Sequence, residues 1–239
     1  MGVPEVPFPL VAGRLQRHWS PVQANPHQVL LAQTRGGKSY LIRRGILPVI
    51  PYGRVVVIDV KLGGDATWEG WGNDVAELAP GFGIGDNGWP RYRIMVAPGD
   101  DGKEQVRRVL DQIAAEGETV IVIDDARRVT DARAPGFGLG NVVDHLLLEG
   151  AALGITVILG ANSTAWATTA LKDQCAVIWI GHTRTATMRD NFADLAGLPK
   201  SVRPELDHIA PRRWLYSDYA GDEGLMLART RVPEPLSEP

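Results

Sequence analysis

The stretch QVLLAQTRGGKS at residues 28–39 decides the fold of this chain. Its beginning is a short apolar run that predicts a buried strand, and a glycine-rich turn follows directly. From Lys38 onward the pattern predicts a short helix. A strand that passes through glycines into a helix presents backbone N–H groups and the positive end of the helix dipole to an anion.

The spacing within this turn matches the phosphate-binding motif GxxxxGK[ST], except that Ala32 stands in the place of the first glycine. The motif predicts that Lys38 reaches the β- and γ-phosphates of ATP and that Ser39 ligates Mg²⁺. ATP and Mg²⁺ are therefore the expected cofactors. The alternative is a glycine turn that precedes a helix by chance. The predicted nucleotide-binding residues are Thr34, Arg35, Gly36, Gly37, Lys38, Ser39 and Tyr40.

Apolar runs alternate with helical patterns along the rest of the chain. The segment RVVVIDV at 54–60 is apolar on both faces, as a central parallel strand requires. Further strands are predicted at 28–32, 92–97, 119–124, 155–161, 175–181 and, more weakly, within 214–229; helices are predicted at 103–117, 140–154 and 185–197. This alternation predicts an α/β fold, with a mostly parallel central sheet flanked by helices.

The two ends of the chain differ from this pattern. Prolines punctuate residues 1–25, which predicts an N-terminal arm rather than a core element. Residues 26–230 are predicted to form one domain, and residues 231–239 a flexible tail.

Composition narrows the class of protein. The 239 residues are 44% hydrophobic, which suits one domain with a substantial core. No apolar run of about 20 residues or signal peptide is apparent, and Cys175 is the single cysteine, so we expect a cytoplasmic protein without membrane spans. The net charge of −3 argues against a protein that coats DNA nonspecifically, so any DNA contact must come from a local basic cluster.

A second strand supplies the acids that a phosphate-loop enzyme needs. The segment VIVIDD at 120–125 ends in Asp124 and Asp125. We expect Asp124 to hold the water shell of Mg²⁺ and Asp125 to orient or deprotonate the attacking water. The alternative is a pair of acids in a solvated turn.

Together these segments resemble the FtsK/HerA superfamily of ring-forming, DNA-translocating P-loop ATPases, over about residues 26–230. The absence of appended parts makes the chain most similar to the small genome-packaging ATPases of tectivirus-like bacteriophages. The resemblance implies a RecA-like P-loop NTPase core. It is carried by PHQVLLAQTRGGKS at 26–39, VVVIDVKLG at 55–63, VIVIDD at 120–125, GITVILGAN at 154–162 and LKDQCAVIWIGHTRTATMRDNF at 171–192.

The resemblance also implies roles for single residues. Asn162 stands at the sensor position that responds to the γ-phosphate, where relatives carry another polar residue. Ala151 replaces an arginine that relatives often carry just before the sensor strand. Arg184 and Arg189 are therefore the candidates for an arginine that acts on the nucleotide of a neighbouring subunit, and a solvated surface role is the alternative.

DNA contacts are expected in the segment after the second acidic strand. Residues 126–140 contain Arg127, Arg128 and Arg133, and relatives direct this segment toward a central channel. Arg127 and Arg128 are also alternative candidates for the trans-acting arginine, and an ordinary exposed loop remains the other interpretation. Lys61 is a further candidate for DNA contact. Three tryptophans, Trp68, Trp71 and Trp89, are expected to anchor a loop or a subunit contact rather than to stack on bases.

The expected function is ATP-driven translocation of double-stranded DNA into a viral capsid by a homo-oligomeric ring, with six subunits as the expected number. The ring would act at a capsid portal or a membrane-associated complex, in the host cytoplasm or on the virion. A plasmid or mobile-element DNA-transfer ATPase of the same superfamily is the alternative. A nucleotide-dependent assembly switch that does not move DNA is a third possibility, from a different class.

Overall fold

The structure, a computed structural model, describes residues 2–19, 26–50, 53–61, 64–78, 90–133, 136–220 and 226–232. Gly63, Trp89 and most of the predicted tail lie outside these ranges. Among the described residues, no helix has both the length and the apolar character that crossing a membrane requires.

The regular helices and strands follow one another in alternation along most of the chain. In chain order they are α1 (Phe8–His18), β1 (Gln28–Leu31), α2 (Lys38–Leu41), β2 (Arg54–Asp59), β3 (Asn73–Val75), β4 (Arg91–Met95), α3 (Gly99–Glu116), β5 (Thr119–Ile123), α4 (Ala126–Thr130), α5 (Gly140–Glu149), β6 (Thr156–Ala161), α6 (Thr169–Gln174), β7 (Val177–Gly181), α7 (Ala186–Leu195), β8 (Arg213–Asp218) and β9 (Met226–Arg231). The chain after α2 continues as a π-helical turn, Ile42–Ile46. Short 3-10 helices lie at Leu47–Val49, Ala66–Trp68, Gly150–Leu153 and Arg203–His208.

A nine-stranded sheet, in the order β3-β4-β2-β5-β6-β1-β7-β8-β9, forms the centre of the described structure. The strands from β3 to β7 in this order pair in parallel, and β8 and β9 are antiparallel to their neighbours. The predicted α/β class with a mostly parallel sheet is confirmed. Because the carboxyl ends of parallel strands lie at one edge, the loops that follow β1, β2, β5 and β6 are brought together there.

Apolar cores lie on both faces of the sheet, as the continuous apolar runs require. Successive side chains of a strand point to opposite faces. In β2, Val56 and Ile58 accordingly belong to one core, while Val55 and Val57 belong to the other. α3 and α5 contribute to the first core, and α1 contributes to the second.

The N-terminal segment differs from its prediction, because α1 is part of a core where an arm was expected. Phe8, Val11 and Leu15 of α1 are buried, and the Phe8 ring lies 6.5 Å from the ring of Trp179 in β7. Pro7 caps the helix and Pro9 lies in its first turn, where the missing N–H has no intrahelical acceptor. The prolines therefore mark the start of a helix.

Three further elements were not predicted from the sequence: β3, α4 and α6. α4 occupies the beginning of the segment 126–140, which was expected to be a loop. The helix predicted over 140–154 ends at Glu149 and continues as a 3-10 turn. β3, α4 and α6 are three to six residues long, which is too short to establish a helical or strand periodicity in the sequence.

His27 connects β1 to two other elements from a buried position. Its Nδ1 lies 3.0 Å from the backbone nitrogen of Val157 in β6, which donates a hydrogen bond to it. Its Nε2 lies 3.1 Å from the carbonyl oxygen of Leu147 in α5. These partners require the neutral imidazole with the proton on Nε2. Burial lowers the pKa of His27 to about 4, against a weaker opposing effect of the bond to Leu147.

We predict that His27 makes the free energy of unfolding sensitive to mild acid. The unfolded imidazole takes up a proton below pH 6.5, whereas the folded one stays neutral down to about pH 4. Stability is therefore lost as pH falls through this window. Between pH 7 and 5, urea unfolding should show a loss about 2 kcal/mol larger for the wild type than for His27→Gln, which does not titrate. An equal pH dependence of the two proteins would contradict this assignment.

Candidate nucleotide-binding and hydrolysis site

A cavity of about 490 Å³ lies at the carboxyl edge of the parallel strands. The structure brings the predicted nucleotide-binding residues together there with both predicted acids and the sensor candidate. It adds residues of the loop after β2 and of the end of β6. The lining includes Thr34, Arg35, Gly36, Gly37, Lys38, Ser39, Tyr40, Asp124, Asp125 and Asn162, together with Lys61, Gly64, Asp65, Ala66, Thr67, Gly160 and Ala161.

The turn between β1 and α2 requires its two glycines for different reasons. Gly37 has a φ of 89°, in the left-handed region that favours glycine. A Cβ at Gly36 would lie only 2.8 Å from the carbonyl oxygen of Gln33 and from the Cβ of Ala32. The turn is therefore compact, and α2 begins at Lys38 with its N-terminus at the cavity.

The alanine at the first motif position is accommodated by glycines around it. Ala32 is fully buried. A Cβ at Gly181 would approach the Ala32 Cβ to 3.0 Å, and one at Gly36 would approach it to 2.8 Å. Because neither residue has a Cβ, the methyl group of Ala32 fits in the space between them. The departure from the motif consequently leaves the shape of the turn intact.

Lys38 has its ammonium group held inside the phosphate loop. Its Nζ donates to the carbonyl oxygens of Ala32 and Gln33, at 2.9 and 3.2 Å. Burial lowers the pKa of Lys38, Asp124 acts in the opposite direction, and the charge of Lys61 lowers it further. The loop thus positions a cation where the motif predicts contact with phosphates.

A hydrogen bond joins the phosphate loop to the acidic strand. Ser39 Oγ donates to Asp124 Oδ2 at 2.6 Å. The other oxygen of Asp124, Oδ1, is buried and has no hydrogen-bond partner among the described residues. A hydroxyl beside a carboxylate with an unused oxygen fits the hard oxygen ligands that Mg²⁺ prefers. The predicted metal ligands Ser39 and Asp124 are therefore suitably placed to hold this ion.

Asp125 lies in the same cavity, where its carboxyl group has a raised pKa. Burial raises the pKa of Asp125, and the neighbouring charge of Asp124 adds to this effect. Lys38 and a backbone hydrogen bond involving Arg128 oppose the increase. A carboxyl group with a raised pKa is a stronger base when ionised, as proton transfer from water requires.

The end of β6 completes the wall of the cavity. Asn162 Nδ2 lies 3.5 Å from Thr34 Oγ1, so the sensor candidate touches the phosphate loop. A Cβ at Gly160 would lie 2.7 Å from the carbonyl oxygen of Asp124. Only glycine allows β6 to pack this closely against Asp124, a requirement that the sequence alone did not identify. Ala151 precedes β6 and therefore lies at the opposite edge of the sheet.

Lys61 lies in this cavity, whereas its predicted role was DNA contact. Its Nζ forms an ion pair with Asp65 and lies 3.3 Å from Asp124 Oδ2. Burial would lower the pKa of Lys61, but the two carboxylates prevail and raise it. Burial acts to raise the pKa of Asp65, but hydrogen bonds from Lys61 and Thr67 lower it to about 2. Both groups are therefore charged at neutral pH, and both line the cavity.

A buried ion pair anchors the loop that follows β2. Arg93 Nη2 donates to Asp59 Oδ2 at 2.9 Å, and both side chains are buried. The same Asp59 oxygen accepts from the backbone N–H of Asp65 at 2.7 Å. Trp68, which was predicted to anchor a loop, is fully buried and donates from Nε1 to Asp124 Oδ2 at 3.0 Å. Trp71 packs edge-on against it, with the ring centroids 5.6 Å apart.

The candidate trans-acting arginines occupy different surroundings. Arg184 is exposed and lines a second cavity, of about 540 Å³, together with Arg35, Arg127 and Asn162. Thr34, Arg35 and Asn162 line both cavities. Arg189 is instead engaged in an ion pair with Asp207, at 2.6 Å.

The three arginines predicted to contact DNA also differ in their surroundings. Arg127 and Arg133 both pair with Asp131, at 3.4 and 3.0 Å. Arg128 is partly buried, with its guanidinium group 5.8 Å from the centre of the Phe137 ring. Of the two arginines that pair with Asp131, Arg133 has the more exposed side chain, with 73% of its surface accessible.

Comparison with known proteins was made at the levels of sequence and structure. No family model matches the chain, and no curated protein matches it. Several solved structures are similar. The genome-packaging NTPase B204 of Sulfolobus turreted icosahedral virus 2, in complex with sulfate, has a TM-score of 0.61 and 17% identity, covering 90% of this chain and 98% of that one. Other structures of B204 contain AMP, ATP-γS or AMPPCP.

Two other ATP-binding proteins share the fold over part of their length. The conjugation coupling protein TcpA of pCW3, with ATP-γS, has a TM-score of 0.52 and 16% identity, covering 86% of this chain and 59% of its own. The cytoplasmic domain of the type VII secretion ATPase EccC of Thermomonospora curvata has a TM-score of 0.55 and 16% identity, covering 90% and 26%. The resemblance to FtsK/HerA-type and viral packaging ATPases is thereby confirmed at the level of the fold: this chain has the P-loop NTPase fold of those proteins.

Proposed function

We propose that this protein is an ATP-hydrolysing motor that translocates double-stranded DNA, with packaging of a viral genome as its purpose. The observation that carries the proposal is the 2.6 Å hydrogen bond from Ser39 to Asp124. It joins the glycine-rich loop after β1 to the acid after β5, in the cavity that also contains Lys38. A phosphate loop, a cation and a metal-binding acid are the parts that ATP hydrolysis requires.

Each residue of the cavity has a role in this proposal. The backbone N–H groups of the turn and Lys38 bind the β- and γ-phosphates, while Ser39 and Asp124 hold Mg²⁺, which neutralises charge on the phosphates when bound. Asp125 accepts the proton of the attacking water. Asn162, in contact with Thr34, responds to the presence of the γ-phosphate.

A ring is proposed because phosphate-loop motors complete their sites with an arginine from a neighbour. Arg184 is favoured over Arg189 for this role, since Arg189 is engaged by Asp207. The Arg184 side chain is exposed at the carboxyl edge of the sheet, so a neighbouring subunit can approach it. The proposed assembly is a ring of six identical subunits.

DNA binding is proposed for the segment that follows β5. Arg127 and Arg133 share a single carboxylate, Asp131, so the group retains one uncompensated positive charge. Exposed guanidinium groups bind the phosphate backbone of DNA without reading its sequence. Arg133 is therefore the leading residue for this contact, whereas Arg128 contributes by packing on Phe137.

Genome packaging is favoured over plasmid transfer by the extent of the similarity. The TM-score is 0.61 with the viral packaging protein and 0.52 with the conjugation protein. A nucleotide-dependent assembly switch would keep the ATP site and lack the response to DNA, so DNA stimulation of ATP turnover distinguishes it from a motor.

Lys38→Ala tests the nucleotide site. The variant removes the cation from the phosphate loop and leaves the glycine turn intact, so ATP turnover should fall below detection in a folded protein. Lys103→Ala, on the exposed surface of α3, is the matched control and should keep wild-type turnover. Turnover by Lys38→Ala at the rate of this control would remove the proposed ATPase function.

Asp125→Asn tests the proton acceptor. Without the base, the rate of ATP hydrolysis should fall by about 10²–10⁴-fold, while the affinity for ATP-γS stays close to that of the wild type. The wild-type kcat should rise with pH through a pKa above that of an ordinary aspartate, because burial raises the pKa of Asp125 and only the ionised form accepts a proton. The residual activity of Asp125→Asn should lack this increase. A wild-type rate in Asp125→Asn would place the base elsewhere.

Arg133→Ala tests the DNA contact. Double-stranded DNA of any base sequence should stimulate ATP turnover in the wild type, and salt should weaken DNA binding steeply because condensed counterions are released. In Arg133→Ala, the slope of log affinity against log salt should decrease by about 0.9 for each DNA phosphate that is no longer neutralised. Arg107→Ala, which removes an exposed paired arginine of α3, is the control.

The same experiment decides between motor and switch. If DNA neither binds nor stimulates the wild type at low salt, the motor proposal fails and the switch replaces it. If Arg133→Ala and Arg107→Ala have the same salt slope as the wild type, Arg133 does not contact DNA.

A further inference from the structure

Two charged residues of the cavity have no role in the chemistry described above: Lys61 and Asp65. Asp65 Oδ2 and Asp124 Oδ2 share the same two neighbours. Ser39 Oγ lies 3.4 Å from the first oxygen and 2.6 Å from the second. Lys61 Nζ pairs with the first oxygen and lies 3.3 Å from the second. One hydroxyl and one ammonium group therefore bridge two carboxylates from different loops.

We propose that Asp65, Asp124 and Ser39 form a divalent-cation site that the Lys61 ammonium group closes when no nucleotide is bound. In this proposal Asp65 is a metal ligand in addition to Ser39 and Asp124, and Lys61 is a counter-ion that the metal displaces. This inference rests on the proposed ATPase function, since it adds to the Mg²⁺ ligands assigned there. The inference concerns the cation that the Asp65 and Asp124 carboxylates bind, and DNA has no part in it.

The oxygen atoms at this position suit a hard divalent cation. They comprise one carboxylate oxygen from each aspartate, the Ser39 hydroxyl, and Asp124 Oδ1, which is buried without a hydrogen-bond partner among the described residues. Mg²⁺ commonly takes one or two protein carboxylates and completes its shell with water and phosphate. Among the described residues no group of three or more His, Cys, Asp or Glu is placed to hold a metal, so water and phosphate complete the shell of the proposed ion.

Asp65 is held in place by its own backbone surroundings. Its Oδ1 accepts the N–H of Thr67 at 2.8 Å, and its backbone N–H donates to Asp59 Oδ2 at 2.7 Å. Asp59 is in turn fixed by Arg93. The carboxylate therefore presents Oδ2 to the cavity from a fixed loop, as a metal ligand requires.

The Lys61 side chain, unlike that of Asp65, is free to move away from the cavity. Its side chain is 43% exposed, and the four-carbon stem allows the ammonium group to move without the backbone. An ammonium group and a divalent cation at the same carboxylates repel each other strongly at such short distances. Bound polyphosphate supplies enough negative charge for both cations. The consequence is that the divalent ion binds well together with nucleotide and poorly alone.

Mn²⁺ binding without nucleotide tests this proposal, with the free ion measured by electron paramagnetic resonance. Wild-type protein should bind Mn²⁺ weakly. Lys61→Met, which keeps an apolar stem and removes the charge, should bind at least about tenfold more tightly. Lys61→Arg retains the charge and should remain as weak as the wild type. Lys103→Met is the matched control on the surface of α3 and should also remain weak.

A double variant assigns the gain to Asp65. Adding Asp65→Asn to Lys61→Met should abolish the increase in Mn²⁺ affinity, whereas adding Asp111→Asn, an exposed acid of α3, should preserve it. The proposal is overturned if Lys61→Met binds Mn²⁺ no more tightly than the wild type. A gain that survives Asp65→Asn overturns it as well.

A second measurement applies even if Lys61→Met does not fold. In the otherwise wild-type chain, Asp65→Asn should reduce, by about tenfold, the factor by which Mg²⁺ increases the affinity for ATP-γS. Asp111→Asn should leave this factor unchanged, and an unchanged factor in Asp65→Asn overturns the proposal. Failure of the proposed function is distinguishable, because absence of ATP turnover in the wild type leaves the Mn²⁺ result without nucleotide unaffected.

Discussion

The hydrogen bond between Ser39 and Asp124 is the contact on which the candidate site depends. It links the loop after β1 to the end of β5, although β6 lies between these strands in the sheet. The link forms because the parallel strands end at one edge and because Gly160 of β6 has no Cβ to separate them. The positions of the proposed catalytic residues therefore follow from the topology of the sheet together with one missing side chain.

A second group of contacts sets the charge of the cavity. The buried pair of Arg93 and Asp59 fixes the backbone of Asp65, and the Trp68 indole N–H donates a hydrogen bond to Asp124 Oδ2. Removing one partner from a buried ion pair leaves an uncompensated charge and is strongly destabilising. The loop after β2 is thus part of the site, and it places two opposite charges, Lys61 and Asp65, where the nucleotide and its cation are proposed to bind.

Much of the fold could be predicted from the sequence, because long apolar runs and amphipathic patterns have few alternatives. The central strands and the helices α3, α5 and α7 were predicted with small differences at their ends. α1 was missed because its prolines resemble those of an extended arm, and they turn out to lie at the start of a helix. Whether Phe8 and Val11 are buried depends on the surface formed by β7 and its neighbours, which local pattern does not contain.

The sequence by itself determined the phosphate loop, the acidic pair after β5 and the order of strands and helices, since each depends on residues that are neighbours in the chain. Only the tertiary structure decided that Lys61 lies beside Asp124, that Asp65 joins it, and that Ala32 fits between two glycines. It also decided that Arg184 adjoins the phosphate loop. The physical reason is that these contacts join residues far apart in sequence, whose distances are set by the packing of the whole sheet.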